Sequence, residues 1–254
     1  MIKRRVEAVI DLNAVLNNYN YIKSKLNSDT KLLSVVKADA YGHGSVEVCR
    51  MLEENGATEF AVACIEEAIA LREGGIKGNI LILGITDESY ASALIKHSLT
   101  QTVDSYEYAY SLSKHGNINV HIKIDTGMSR LGLYCHRISD VENAAKEIEK
   151  ISLLDNINIK GIFTHFAESD DTASEFTKAQ FECFSMLLSE LENRNISVGI
   201  RHCCNSAAIL NYPEMQLDMV RAGIILYGLS PSETTYDKML KPAMRLVSRI
   251  SSVS

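Results

Sequence analysis

The amino-acid sequence predicts an α/β fold in which eight β-α units close into a (β/α)8, or TIM, barrel. Strand-like and helix-like segments alternate along the 254 residues, with a repeat of roughly 25 to 30 residues that is typical of one β-α unit. Eight such units suit a barrel of this length. An open, doubly wound sheet is the second alternative, but its glycine-rich GxGxxG turn after the first strand is absent.

The elements follow from apolar runs that are β-branched or helically spaced, punctuated by glycines that end helices. After an extended segment over 6–11, a first helix is predicted over 12–26. The eight predicted strands are 31–38, 60–65, 80–83, 100–103, 119–124, 159–163, 198–202 and 219–221. The predicted helices after them are 45–55, 66–73, 88–97, 106–114, 138–151, 172–194 and 206–210. We expect one domain over 1–254, with a barrel core at about 10–230 and a connecting segment at 231–254.

Composition excludes several classes of protein. Hydrophobic residues make up 46% of the chain, which argues against disorder. The net charge of -6 argues against nucleic-acid binding, and no apolar run is long enough for a signal peptide or a membrane span. The six cysteines form no CxxC pair and no zinc-ligand spacing. We expect no metal site, and reduced, buried thiols in a cytoplasmic protein.

Lys37 is the most informative residue. It follows the apolar segment 33–36, within the run VVKADAYGHG (35–44), and is therefore predicted at the end of a buried strand. A desolvated amine loses its proton easily and can form a Schiff base with a carbonyl. The alternative is a strand-end lysine whose amine extends into water.

Other polar residues fall at the carboxyl ends of later predicted strands, where barrels place their active sites. They are Lys123, Arg130, His165, His202, Asn205, Ser206, Arg221 and Gly223. Several cations directed into one partly dry mouth need an anionic or electron-rich partner. Asp125, which lies between Lys123 and Arg130 in the sequence, is interpreted as their counter-ion.

The loops after the last two strands favour a phosphate site, as in many barrels. Ser206 offers a hydroxyl, and Gly223 lets a backbone N–H approach an anion closely. A reactive lysine and a phosphate site on one face favour pyridoxal 5'-phosphate (PLP), which also needs a partner for its ring nitrogen.

Five motifs resemble the alanine racemases of the barrel-type PLP family. They are VVKADAYGHG (35–44), KIDTGMSRLG (123–132), FTHFA (163–167), HCCNSAA (202–208) and MVRAGIILYG (219–228). They occur in the family's order over nearly the whole chain. By this resemblance, Lys37 holds the cofactor as an aldimine and acts as base or acid on one face of the substrate α-carbon. The residues expected to bind the cofactor are Lys37, Tyr41, His165, Asn205, Ser206, Arg221, Gly223 and Ile224.

The resemblance also implies individual roles around the ring. His165 resembles the residue packed against the pyridine, and Arg221 the partner of the ring nitrogen. Arg130 resembles the group that contacts the phenolic oxygen of the cofactor and the substrate carboxylate. Lys123 resembles a lysine that is carbamylated in many members and orients that arginine. His202, with Asn205, is expected to support these residues from behind.

Structural interpretations of single residues stay open. Tyr41 could be an interface aromatic, Lys123 an unmodified lysine, and Ser206 a plain helix cap. His165 could be a core histidine, and Arg221 a member of a structural ion pair.

Arg221 suggests a hypothesis about how the site controls protonation of the ring nitrogen. An arginine cannot accept the proton of a pyridinium, so it would hold the ring nitrogen unprotonated. The α-carbanion is then less delocalised and short-lived. We expect brief deprotonation and return of the proton, rather than transamination.

Racemisation needs a second base, and the sequence departs from the family pattern here. In the family, a tyrosine from a C-terminal β-domain of the partner subunit serves the other face. None of the 11 tyrosines lies in the matching motif, and the chain ends at KPAMRLVSRISSVS (241–254). We expect this chain to lack that domain, to bind PLP and to racemise poorly alone. The full-length protein is expected to be a homodimer that makes D-alanine for cell-wall precursors.

Three alternatives to an alanine racemase are weighed. A serine racemase of the same family is a close variant. A non-catalytic PLP-homeostasis protein would fit the length but lacks the first two motifs. A barrel decarboxylase of basic amino acids should carry an acidic residue opposite the ring nitrogen, where this chain has Arg221.

Overall fold

The structure, a computed structural model, describes residues 6–250. Its strands are β1 (Val6–Ile10), β2 (Lys31–Val35), β3 (Glu59–Val62), β4 (Asn79–Ile82), β5 (Thr100–Val103), β6 (Ile118–Asp125), β7 (Leu133–Tyr134), β8 (Ile157–Phe163), β9 (Ile200–His202), β10 (Met219–Ala222) and β11 (Met244–Ser248). The α-helices are Leu12–Ser24, Ser45–Glu54, Ile65–Glu73, Ala91–Lys96, Tyr106–Ser113, Val141–Ser152, Phe176–Asn193 and Ser206–Asn211. Short 3-10 turns cover Glu88–Tyr90, Ile138–Asp140, Pro213–Met215 and Ile224–Tyr227.

Eight parallel strands form the barrel in the order β10-β2-β3-β4-β5-β6-β8-β9. Two backbone hydrogen bonds close the ring between the first and last strands of this order. Asp218 N–H donates to the Arg201 carbonyl at 3.1 Å, and Arg221 N–H donates to the Cys204 carbonyl at 3.0 Å. The predicted (β/α)8 barrel is confirmed, and the doubly wound alternative is wrong.

Two element boundaries and one additional strand change the prediction most clearly. Strand β2 ends at Val35, so Lys37 lies in the turn beyond the strand rather than at its end. The long helix begins at Phe176 instead of 172, because Asp171 and Ser174 bond local backbone N–H groups and so compete with helix formation. The unpredicted strand β7 pairs with the end of β6.

A two-stranded ribbon lies apart from the barrel sheet. Strand β1 pairs antiparallel with β11, from Val6 opposite Ser248 to Ile10 opposite Met244. The extended nature of residues 6–10 is as predicted, whereas β11 within the predicted connecting segment is not. Both strands are largely exposed.

Two apolar regions stabilise the barrel. The larger one lies between the sheet and the surrounding helices and includes Phe60, Leu71, Ile148 and Phe184. A smaller cluster is formed by residues of β2, β3, β4 and β10, namely Leu33, Val35, Ala61, Leu81 and Met219. Strands β6, β8, β9 and β10 instead bury aromatic and charged side chains, namely His121, Lys123, Phe163, His202 and Arg221. The mouth of the barrel is thus apolar on one side and cationic on the other.

The cysteines agree only in part with the expectation of reduced, buried thiols. All six cysteines are free thiols, and five are buried, but Cys64 is half-buried. Between residues 6 and 250, no helix has the length and apolar character needed to span a membrane.

Candidate active site

One cavity of about 540 Å³ opens at the carboxyl ends of the barrel strands. Its lining includes every residue that the sequence predicted to be catalytic, cofactor-binding or modified, namely Lys37, Tyr41, Lys123, Arg130, His165, Asn205, Ser206, Arg221, Gly223 and Ile224. The apolar side of the wall is made by Val35 and Leu83, among others. His202 lies behind this wall and is fully buried.

A left-handed turn joins Lys37 to the helix Ser45–Glu54. Ala38, Asp39, Ala40 and Tyr41 all have φ between 51° and 54°. None is glycine, and each such residue costs roughly 1–2 kcal/mol relative to right-handed backbone. The strained turn brings both Lys37 and Tyr41 to the same cavity.

Three groups from different loops meet at one end of the cavity. Gly223 N–H donates to the Ser206 hydroxyl at 2.9 Å. A Cβ added to Gly223 would lie 2.8 Å from the Tyr41 hydroxyl and 3.5 Å from the Ser206 hydroxyl. Burial raises the pKa of Tyr41, so its phenol stays protonated and can donate to an anion. A side chain at position 223 would intrude into the space these groups share and would displace the Tyr41 hydroxyl.

The start of the helix Ser206–Asn211 rules out the interpretation of Ser206 as a plain helix cap. Its cap is Asn205, whose side-chain oxygen accepts from Ala208 N–H at 3.0 Å and from the Ser169 hydroxyl at 2.7 Å. Ser206 is therefore not the helix cap, and its hydroxyl faces Gly223 instead.

Arg221 is a buried cation without a carboxylate partner among residues 6–250. Its guanidinium donates to the carbonyls of Thr164 and Cys203 at 2.9 and 2.8 Å, and to His202 Nδ1 at 3.0 Å. A longer contact of 3.3 Å reaches His165 Nδ1. Burial lowers the pKa of Arg221 to about 10, so it remains a cation at neutral pH, and the ion-pair alternative is wrong.

A chain of hydrogen bonds runs from Arg221 through the imidazoles of His202 and His121. His202 accepts from Arg221 at Nδ1, so a neutral His202 carries its proton on Nε2 and donates to His121 Nδ1 at 2.9 Å. Burial and the Arg221 charge lower the pKa of His202 well below its ordinary value and that of His121 to about 3. Both rings are therefore uncharged at neutral pH.

Phe163 is the aromatic centre of the cationic side. Its ring stacks on His202 with centroids 4.7 Å apart. Arg221 Cζ and Lys123 Nζ lie 5.4 and 5.6 Å from its centroid, within the range of cation–π attraction. Burial and the nearby cations, Arg221 first among them, lower the pKa of His165 well below its ordinary value. His165 thus presents a neutral ring to the cavity.

Lys123 is a buried amine, 3% exposed. Its Nζ donates to the Ile124 carbonyl at 2.6 Å. Burial, together with the charges of Arg221 and Arg130, outweighs the attraction of Asp125 and lowers the pKa of Lys123 to about 7. Near neutral pH, a substantial fraction of this lysine is an uncharged nucleophile.

Asp125 does not ion-pair with Lys123 or Arg130, so the counter-ion interpretation is wrong. Its carboxylate accepts from His136 Nε2 at 2.9 Å and from the N–H groups of Gly127 and Ser129 at 3.1 and 2.9 Å. Burial opposes ionisation, but these hydrogen bonds prevail and hold its pKa below the usual value. Asp125 therefore shapes the loop that carries Arg130.

Sequence reasoning missed His121 and Phe163. Side chains alternate along a strand, so His121 falls on the same face of β6 as Lys123, and Phe163 on the same face as His165. Applied to β6 and β8, this alternation would have placed both in the barrel interior.

Comparison with known proteins agrees with the motifs. The family model of the alanine racemase N-terminal domain matches residues 10–231. The chain is 46% identical over 254 residues to alanine racemase 1 of Clostridium acetobutylicum, covering 97% of this chain and 64% of that protein. It is 45% identical over 255 residues to alanine racemase of Methanococcus maripaludis, covering 97% and 66%. The chain thus spans just under two thirds of the length of these curated relatives.

Solved structures give the same result. The alanine racemase of Clostridium difficile 630 in complex with cycloserine superposes with a TM-score of 0.94 at 38% identity, covering 100% of this chain and 70% of that one. The alanine racemase of Bacillus anthracis with bound L-Ala-P gives 0.86 at 32% identity, covering 97% and 64%. The resemblance in the motifs is confirmed, and the chain belongs to the family of alanine racemase N-terminal domains.

Proposed function

We propose that this chain is the PLP-binding barrel of an alanine racemase and that Lys37 is the lysine that holds the cofactor. The family to which it belongs is PLP-dependent. One observation carries the proposal: Lys37, the Tyr41–Ser206–Gly223 group and Arg221 line one cavity. They supply, respectively, an amine, an anion site and a hydrogen-bond donor for a ring nitrogen.

The residues present fit the cofactor. The hydroxyls of Tyr41 and Ser206 meet the backbone at Gly223, where an added Cβ would intrude, as a phosphate site requires. Asn205 fixes the helix beside it, and Ile224 lines its edge. Arg221 lines the cavity and retains N–H groups beyond those used on Thr164, Cys203 and His202, and these would donate to a ring nitrogen.

Residues of this chain take separate roles around the bound cofactor. When bound, PLP supplies an aldehyde that links covalently to amines and a ring that withdraws electrons from the substrate α-carbon. Lys37 removes or returns the α-proton on one face. Arg130 binds the substrate carboxylate, and His165 packs its neutral ring against the cofactor.

Arg221 sets the electronic character of the site. It stays a cation at neutral pH and is backed by neutral imidazoles, so it can only donate to the ring nitrogen. A cofactor ring held in this way would withdraw electrons from the substrate α-carbon less strongly. Lys37 would then return the α-proton promptly, which favours racemisation over transamination.

The remaining parts of the proposal concern the whole protein. Residues 10–230 form the barrel domain, and 231–254 lead towards a C-terminal β-domain. That domain, from the partner subunit of a cytoplasmic homodimer, supplies the second base. Alanine is the substrate, and D-alanine for cell-wall precursors is the product.

We further propose that Lys123 is carbamylated. A neutral amine adds to CO2 and releases one N–H proton to solvent, and Lys123 with a pKa of about 7 is partly neutral under ordinary conditions. The resulting carbamate would be an anion beside Arg130, and its charge would offset the cations of Arg221 and Arg130.

The central test is cofactor binding to this chain. After PLP is added and the unbound cofactor is removed, the wild-type chain should keep a visible absorbance that Lys37→Ala lacks, because the alanine variant has no amine at this position. Lys96→Ala, which removes an exposed lysine at the end of the helix Ala91–Lys96, is the control and should keep the absorbance.

Exchange of D- and L-alanine, and of serine, is then assayed with the chain alone and after fusion to the C-terminal segment of the Clostridium acetobutylicum relative. We expect alanine exchange mainly in the fusion. An unchanged absorbance in Lys37→Ala would refute the role of this lysine. Faster exchange of serine would favour the serine racemase.

The depressed pKa of Lys123 predicts a pH dependence of stability. Between about pH 7 and the ordinary lysine pKa near 10, the unfolded chain binds more protons than the folded one, so the free energy of unfolding rises with pH. Relative to Lys123→Met, the wild type should gain about 2 kcal/mol between pH 7 and pH 9. Urea unfolding in CO2-free buffer at several pH values measures this gain. The same change in the free energy of unfolding with pH in both proteins would contradict it.

The same pair of proteins tests the carbamate. Added 13C-bicarbonate should give a carbamate carbon signal in the wild type that Lys123→Met lacks. A signal of equal size in both proteins would place the modification elsewhere.

The Arg221 hypothesis is tested by Arg221→Glu. A carboxylate keeps the ring nitrogen protonated, so the PLP-loaded variant incubated with alanine should form more transamination by-product per exchange, measured by chromatography as pyridoxamine phosphate. Arg221→Lys, which retains a donor, should show no such increase. An absence of any increase in the glutamate variant would count against the hypothesis.

A further inference from the structure

Glu67 makes two hydrogen bonds at the base of the left-handed turn. It lies in the first turn of the helix Ile65–Glu73. Its Oε1 accepts from Ala38 N–H at 2.7 Å, and its Oε2 accepts from Ala63 N–H at 2.8 Å. One carboxylate thus joins the residue after Lys37 to the residue after β3.

These bonds begin where strand pairing ends. The register of β2 and β3 runs to Val35 opposite Ala61, and Val36 N–H still donates to the Ala61 carbonyl at 2.8 Å. Beyond that point the left-handed turn carries the chain away from the sheet. The Glu67 carboxylate therefore replaces the strand partner that Ala38 no longer has.

The far end of the turn has its own supports. His43 Nδ1 contacts the carbonyls of Ala40 and Tyr41 at 3.0 and 3.2 Å, and the Asp39 carboxylate accepts from Ser45 N–H at 2.7 Å. Strained backbone persists only when its surroundings over-determine it. Within residues 6–250, Glu67 supplies the side-chain hydrogen bond at the Lys37 end.

We propose that Glu67 is a positioning residue that sets the distance between the Lys37 amine and the Tyr41 hydroxyl. The inference rests on the proposed function, in which Lys37 binds the aldehyde end of PLP and Tyr41 binds the phosphate end. A turn that relaxes towards right-handed backbone changes the spacing of these two groups. The affinity for a ligand bound at both ends should fall more than the affinity for a ligand bound at one end.

A plain helix-terminus role for Glu67 makes a different prediction. A carboxylate in the first turn of a helix is stabilising through the helix dipole alone. Glu66 lies in the same turn with an exposed side chain and shares that benefit without bonding Ala38. Glu66→Gln is therefore the matched control.

The experiment compares Glu67→Ala, Glu67→Gln and Glu66→Gln in this chain, with PLP and with pyridoxal, which lacks the phosphate. Two lost backbone hydrogen bonds should weaken PLP binding by roughly tenfold or more in Glu67→Ala, with a clearly smaller loss for pyridoxal. Glu67→Gln keeps one acceptor and should fall between. Without any cofactor, amide hydrogen exchange at Ala38 should speed up in Glu67→Ala and stay unchanged in Glu66→Gln.

Several results overturn the inference. Equal losses for PLP and pyridoxal would indicate general loosening of the cavity, and PLP affinity in Glu67→Ala equal to that of Glu66→Gln would remove the role altogether. If Glu67→Ala does not fold, the same comparison is read from Glu67→Gln. A wild-type chain that does not bind PLP refutes the proposed function itself, which distinguishes that failure from one confined to Glu67.

Discussion

The buried charge of Arg221 is the constraint on which the rest of the site depends. Within the described chain it is met by carbonyl oxygens and by His202, not by a carboxylate. Because that positive charge is uncompensated, a second cation nearby is costly. Burial and this charge together lower the pKa of His202 and of His165 well below the ordinary value, and that of Lys123 to about 7. The cavity holds a positive potential that an anionic ligand relieves.

The barrel interior separates this charge from the apolar wall. Val35 and Leu83 line the cavity on the side of β2 and β4, whereas Arg221 and Lys123 line it on the side of β10 and β6. Phe163 lies among the cationic groups and offers its ring face to them, as cation–π contacts do. A flat ligand with a polar edge and apolar faces matches this arrangement. The strained turn after β2 adds the amine of the half-buried Lys37 from the apolar side.

The sequence predicted the barrel and placed eight residues at one cavity, because polar groups at successive strand ends of a barrel converge. Tyr41 and Ile224, which also line it, were expected only from the family resemblance. It did not predict the turn after Val35, since four non-glycine residues with positive φ contradict every local preference. Side-chain contacts hold that backbone: Glu67 from the helix Ile65–Glu73 and His43 from just beyond the turn. The partners of Asp125 were also missed, because its bond to His136 depends on how the intervening loop folds back.

The direction of the hydrogen bonds behind Arg221 decides what chemistry the site can support. Arg221 has only donors, so His202 must accept at Nδ1 and pass its own proton towards His121. A carboxylate in place of either imidazole would partly neutralise the guanidinium and bring an acceptor into the network. With two neutral rings instead, no group that residues 6–250 place behind Arg221 can hold a proton for a ligand in front of it. His202 and His121, which do not line the cavity, thus determine whether a ligand atom bonded to Arg221 can be protonated.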